Sequence, residues 1–189
     1  YKRQVQWGDE VFVNCWSYDD KILVVDAARE TLVDSIEVGP QPSSLVLDRF
    51  GKLWTVTDGR TAGIPAALYR IDAATRRIEQ TYTFAAGDHP SSVTLNGTRD
   101  TLYFINRDVW RMRVDAEELP VTPFLPYTQT TYYEVAVDPL TSEVYVADAI
   151  DYVQHGVVYR FTARGAAVDT IRVGITPGSV SYTHLRAHE

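Results

Sequence analysis

Short runs in which apolar and polar residues alternate recur along the chain, each bounded by Gly, Pro, Asp or Asn. Alternation with period two marks a β-strand with one face buried, and the flanking residues favour turns. The pattern is clearest at residues 39–58, GPQPSSLVLDRFGKLWTVTD, where Ser44–Leu47 and Leu53–Thr57 flank the polar turn Asp48–Lys52. This predicts a β-hairpin. Its second strand recurs as Val11–Asn14, Leu53–Val56, Leu102–Ile105 and Val144–Ala147, at spacings of 42, 49 and 42 residues. Its first strand recurs as Ser44–Asp48, Ser92–Asn96 and Glu134–Asp138. A third strand follows each hairpin, at Ile22–Asp26, Leu68–Asp72, Trp110–Asp115 and Val158–Thr162. A fourth closes each unit, at Val33–Val38, Glu79–Phe84, a proline-broken Val121–Leu125 and Val168–Val173. No segment sustains apolar residues at i, i+3 and i+4, so helix content near zero is expected.

Four short strands in a repeat of about 40–50 residues are the signature of a β-propeller blade. The expected architecture is therefore all-β, a β-propeller fragment of about four blades, each of four antiparallel strands. The units run near 1–38, 39–84, 85–125 and 126–173, with the start of a further strand at 176–180. Leu45 and Leu47 should lie on the innermost strand of a blade and Trp54 on the next one out. Four units with open ends leave exposed strand edges, which favours a piece of a larger ring. Residues 181–189 resemble translated adapter sequence and are read as foreign to the protein. Asp26, Asp72 and Asp115, and likewise Asp48, Asn96 and Asp138, stand where a strand enters a turn and are expected to cap its backbone. The pairs Tyr69-Arg70, Trp110-Arg111 and Tyr159-Arg160 recur at one blade position, which speaks for architecture rather than for one site. Trp54, Trp110 and Tyr145, inside strands, are expected in the core, and Cys15 as a small buried residue.

Composition narrows the function classes. At 189 residues and 45% hydrophobic content, the chain can bury a sizeable core. A net charge of −7 argues against a nucleic-acid partner, because phosphate binding needs a basic face. A single cysteine rules out an internal disulfide or a cysteine-rich metal site, and no apolar run reaches the length of a membrane span.

In a propeller the loops joining strands two to three and four to one emerge on the same face, where ligands bind. That face should present Trp16, Tyr18, Arg60, His89, Arg107, Tyr132, Tyr133, Asp148, Tyr152 and His155 as candidate ligand-binding residues, with Tyr127, Asp151 and Gln154 among them. Flat aromatic surface with directional donors suits a large, partly polar ligand or a protein partner. Catalytic motifs are absent: there is no HExxH, GxSxG, Walker or GxGxxG pattern. No catalytic residue, metal or cofactor is expected. His184 and His188 stand four apart but lack a third ligand and lie in the doubtful tail. A lactonase-type or quinoprotein-type enzyme would need several ligands at the starts of first strands. Those starts are Ser43-Ser44, Ser91-Ser92, Tyr133-Glu134 and Gly178-Ser179, with Glu134 the lone charged group.

The units resemble YVTN-type repeats of YncE-like propellers, in "LYRID" and "TYTF" followed by "GDHPSS". Val5–Asp9 with Val11–Tyr18, Leu95–Tyr103 and Glu143–Tyr152 are similar to a cell-surface, surface-layer-type lipoprotein family of Gram-negative gut anaerobes, which includes BtuG-like cobalamin-binding propellers. The resemblance covers residues 1–180. It implies a seven-bladed ring of which this chain is the C-terminal part, and export to the cell surface at the outer membrane through a lipid anchor upstream. It also implies a non-catalytic binding role, capturing a small ligand such as a corrinoid or docking an outer-membrane transporter. The alternatives are the propeller enzyme and a purely structural surface-layer protein.

Overall fold

The computed structural model describes residues 4–16, 20–59, 63–127 and 131–178. Tyr18, Arg60, the tail with His184 and His188, and the end of the expected strand at 176–180 lie outside the described residues. The described residues form fifteen strands and no helix. The first sheet is β1 (Gln4–Trp7), β2 (Glu10–Asn14), β3 (Lys21–Asp26) and β4 (Thr31–Glu37). The second is β5 (Pro42–Leu47), β6 (Lys52–Thr57), β7 (Ala67–Asp72) and β8 (Ile78–Thr83). The third has three strands, β9 (Ser91–Leu95), β10 (Thr101–Asn106) and β11 (Asp108–Arg113). The fourth is β12 (Tyr132–Val137), β13 (Val144–Asp148), β14 (His155–Phe161) and β15 (Ala167–Ile175). Every sheet is an antiparallel meander with strands side by side in chain order.

The sheets stack through their first strands, β1 on β5, β5 on β9 and β9 on β12. Three cores lie between them. Phe12, Ile22 and Val24 of the first sheet meet Leu45, Leu53 and Ile71 of the second. Val46, Trp54, Val56 and Leu68 meet Val93, Leu102 and Phe104 of the third. Tyr103, Ile105 and Val109 meet Val135, Val144 and Val146 of the fourth. This stacking explains why β5 is buried along both faces, since its alternate residues serve two different cores. Burying a Leu-sized side chain contributes about 1.5–3 kcal/mol. Leu45 and Trp54 lie where the pattern places them, on the inner strand and the next strand out. Trp110 and Tyr145 are only partly buried, and Cys15 is half-buried rather than sealed in a core.

The third sheet departs from the repeat. Val121–Leu125 forms no strand and reduces to a single antiparallel bridge between Val109 and Leu125. Pro120, Pro123 and Pro126 interrupt the segment, and proline has no N–H to give a ladder. Val121 is 95% exposed. A strand missing from the sequence reading is β1, which packs Val5 against the first core.

Turns are capped by the repeated acidic residues. The Asp26 carboxylate accepts from the N–H groups of Ala28 and Arg29, Asp72 from Thr75, and Asp138 from Leu140 and Thr141. Asn96 serves Asp100 and Thr101 in the same way. Asp48 does more: it accepts from Phe50 and Lys52 N–H and from the buried Trp54 indole, at 2.8 Å. Asp115 is the exception, an exposed partner of the Arg113 guanidinium. Gly97 stands so close to Pro139 that a Cβ there would meet the Pro139 carbonyl oxygen at 1.8 Å, which ties the third sheet to the fourth.

Asp48→Ala is therefore expected to cost about 2–3 kcal/mol in a denaturant titration, because it strands a buried indole N–H. Asp115→Ala should stay within about 0.5 kcal/mol. Acid stability gives a second test. Lys52 above all, helped by the Thr75 N–H, holds the Asp72 pKa down to about 2. The Asn96 amide, then the Thr101 hydroxyl, does the same for Asp100, also to about 2. A carboxylate whose pKa is lowered on folding stabilises the fold above its ordinary pKa, and that contribution disappears as pH falls through the folded value. Stability should thus drop between about pH 4 and pH 2, and Asp72→Asn with Asp100→Asn should flatten that part of a pH titration.

Candidate functional site

The loops following β2, β6, β10 and β13, together with those leading into β5, β9 and β12, emerge at one end of the stacked sheets. Near that end the inner strands β5, β9 and β12 carry a β-bulge, whereas β1 pairs without one. Register shifts lie between Pro42 and Ser44, between the residues facing Tyr103 and Ile105, and between Tyr132 and Glu134. A bulge leaves one residue out of the ladder and turns its side chain. In β12 that residue is Tyr133. Behind the bulges, polar side chains stitch neighbouring sheets together. Asn14 Nδ2 donates to the Ser44 carbonyl and to Thr55 Oγ1. Ser92 Oγ donates to Glu134 Oε1 at 2.7 Å and accepts from Val135 N–H. Glu134 thus serves as a link between third and fourth sheets.

The candidate residues divide into pairs. Tyr133 and Tyr152 meet edge to face, with ring centroids 5.8 Å apart, the arrangement aromatic quadrupoles favour. Tyr152 holds a left-handed backbone at φ 65° and is 53% exposed. Its loop is shaped by Asp151, which accepts from Val153 and Gln154 N–H and from the Gln154 amide. Those bonds, led by the Gln154 N–H, hold the Asp151 pKa below the ordinary carboxylate value. Arg107, also in a left-handed turn, lays its guanidinium 4.7 Å from the centre of the Tyr127 ring, a cation–π contact. Trp16 is exposed on the loop after β2.

The two histidines are anchored through Nδ1. His89 Nδ1 lies 3.0 Å from the Asp58 carbonyl and 3.2 Å from its carboxylate. His155 Nδ1 lies 3.0 Å from the Val173 carbonyl. Carbonyl oxygens only accept, so Nδ1 carries the proton and Nε2 of a neutral ring remains the acceptor. Both side chains are exposed; His89 lies on the loop leading into β9, whereas His155 opens β14.

Two of the candidates are placed differently. Asp148 is 1% exposed. Its Oδ1 accepts from Thr131 and Ile150 N–H and its Oδ2 from the Tyr159 hydroxyl, so it shapes the loop from within. Tyr132 points toward Pro126, whose carbonyl its hydroxyl approaches at 3.4 Å. Residues the sequence reading passed over are Asp58, the anchor of His89, and Ile150 and Val153, which widen the apolar part of the Tyr152 loop. Among the described residues no three His, Cys, Asp or Glu side chains gather as a metal-binding group.

Residues 5–175 match the family described as a domain of unknown function, DUF5074. The chain belongs to the DUF5074 family. No curated protein matches its sequence. Among solved structures, this DUF5074 chain is similar to a quinoprotein alcohol dehydrogenase-like protein of Bacteroides thetaiotaomicron, with 16% identity and a TM-score of 0.71. That match covers 90% of this chain and 45% of the other. It is also similar to hydrazine synthase of Kuenenia stuttgartiensis, with 14% identity and a TM-score of 0.69, covering 88% and 47%. At such identities the likeness shows the fold alone: the stacked meanders are blades of a β-propeller. The DUF5074 chain spans about half the length of these two structures.

The division between framework and presented residues has a measurable consequence. Asp148→Ala removes three bonds from a buried turn and should cost about 2–3 kcal/mol in thermal or denaturant unfolding. Tyr152→Ala and Arg107→Ala, both at exposed positions, should shift stability by no more than about 0.5 kcal/mol.

Proposed function

We propose that this DUF5074 chain is the ligand-binding part of a non-catalytic propeller, capturing a small molecule on its loop face at the outer surface of the cell. The observation that carries the reading is the pairing of exposed and half-buried aromatic and cationic groups there. Tyr133 with Tyr152, and Arg107 with Tyr127, are held in set geometry by bulges and capped turns. Rigid aromatic surface binds at little entropic cost, and a planar guanidinium adds direction. Trp16, His89 and His155 supply further flat surface and imidazole acceptors around the same end. A corrinoid, a large planar macrocycle edged with amides, matches a face built of aromatic planes and hydrogen-bonding groups. The resemblance to BtuG-like lipoproteins supports that ligand and an upstream lipid anchor.

The ring is completed by further blades of the same protein. The first sheet turns Phe12, Ile22 and Val24 into a core and Val11, Val13, Leu23 and Val25 to its other side, where they are only half-buried. An apolar sheet face of this kind matches an interface with another blade. The coverage of about half of each fold neighbour is consistent with this. Although both neighbours are named for enzymes, their identity to this chain is too low to lend it an activity.

Calorimetry of the full-length protein with cyanocobalamin tests the reading. Saturable heat at micromolar concentration is expected, with Tyr133→Ala or Tyr152→Ala weakening it about tenfold or more. Absence of heat at those concentrations sinks the corrinoid assignment.

A further inference from the structure

Two clefts open on the flank of the propeller, on either side of the irregular segment that replaces the fourth strand of the third sheet. The smaller, about 160 Å³, lies toward the second sheet and includes Asp88 and Asn106 among its walls. The larger, about 250 Å³, lies toward the fourth sheet and is lined by Leu125, Pro126, Tyr132, Tyr159, Phe161 and Gly165. Its origin is local. Pro126 cannot continue the ladder beyond the bridge at Leu125, so no regular strand fills the space. Tyr159 pairs with Val146 and Phe161 with Val144. Directly paired residues share a sheet face, and Val144 and Val146 face the third sheet. Two aromatic rings of β14 therefore stand over the gap.

No charged side chain lines this cleft. Its polar groups are phenol oxygens, and their protons are spoken for. The Tyr159 hydroxyl donates to Asp148 Oδ2 at 3.2 Å, and a carboxylate can only accept. Burial first, and then the adjacent Asp148 charge, raises the Tyr159 pKa, which keeps the phenol protonated. Tyr132 donates toward the Pro126 carbonyl. What remains toward the cleft is acceptor lone pairs above apolar, aromatic walls. An anion would find only acceptors, with a carboxylate behind them. A cation would find no exposed carboxylate, because Asp148 is buried.

We propose that this flank cleft binds a neutral aromatic molecule of one or two rings that carries an N–H or O–H donor. The ring lies against Tyr159 and Phe161, and the donor is taken by the Tyr159 or Tyr132 oxygen. Size agrees: an apolar cavity of about 150 Å³ holds benzene, and this one has room for a fused second ring. The site is distinct from the loop face and stands whether or not that face takes a corrinoid.

The test uses the full-length protein with two probes of nearly equal shape, indole and benzothiophene, which differ in the N–H donor. Ligand-observed NMR titration should show saturable binding of indole. Tyr159→Phe combined with Tyr132→Phe should weaken indole by about fivefold, the effect of losing one hydrogen bond, and leave benzothiophene unchanged. A single cooperative thermal transition, its midpoint lowered by no more than the lost Tyr159–Asp148 bond explains, shows that the fold persists. Absence of saturable indole binding, an equal loss for both probes, or an unchanged indole affinity overturns the assignment. Cyanocobalamin binding should be unaffected by indole, which separates this result from the loop-face reading.

Discussion

The burial of apolar side chains between neighbouring sheets is the constraint from which the rest follows. A four-stranded meander on its own has two faces and too little bulk to cover either. Stacking face to face through the inner strands solves this for both at once, and buries β5, β6 and β10 on both sides. Pairs such as Trp54 stacked on Tyr82 and Phe84 set edge-on to Phe104 fill the space. The cores are close-packed and resist deformation. The loops at the ends are then free to differ from blade to blade without disturbing what holds them.

Polar groups at the strand ends offset much of the cost of burying the turns. Side-chain carboxylates at strand ends take up the turn N–H groups, and Asp48 reaches inward to satisfy the one large indole at the centre. Charged side chains join neighbouring sheets at their margins, where water still reaches. Arg76 in the second sheet pairs with Glu10 and Asp34 in the first, and Arg70 reaches the Val114 carbonyl of the third. Partly exposed pairs of this kind contribute little energy singly.

The features that set one blade apart from another arise where the repeat is broken rather than where it is obeyed. The bulge at Tyr133 and the left-handed turns at Arg107 and Tyr152 take side chains out of the strand pattern and aim them outward. Pro120, Pro123 and Pro126 break the pattern more severely, and the lost strand leaves clefts that no regular blade would contain. The prolines were visible in the sequence, and so was the interrupted run around them. The clefts were not, because a cavity depends on what two neighbouring sheets fail to fill. Nor was the direction of Tyr132, which the bulge sends into a cleft instead of beside Tyr133. Asp148 illustrates the same limit. Its type and loop position suggested a ligand contact, yet three hydrogen-bond donors close around it.

The sequence by itself determined the all-β class, the four repeating units and their strand order, because period-two alternation and turn residues are local signals that survive without any contact map. It also determined the capping residues other than Asp115, since an Asx side chain bonds its own turn. Tertiary structure decided which aromatic rings are buried, which meet one another and which stay exposed at the loop face. Those outcomes rest on the packing of residues some forty positions apart, and on single-residue shifts of register that alternation along one strand does not encode.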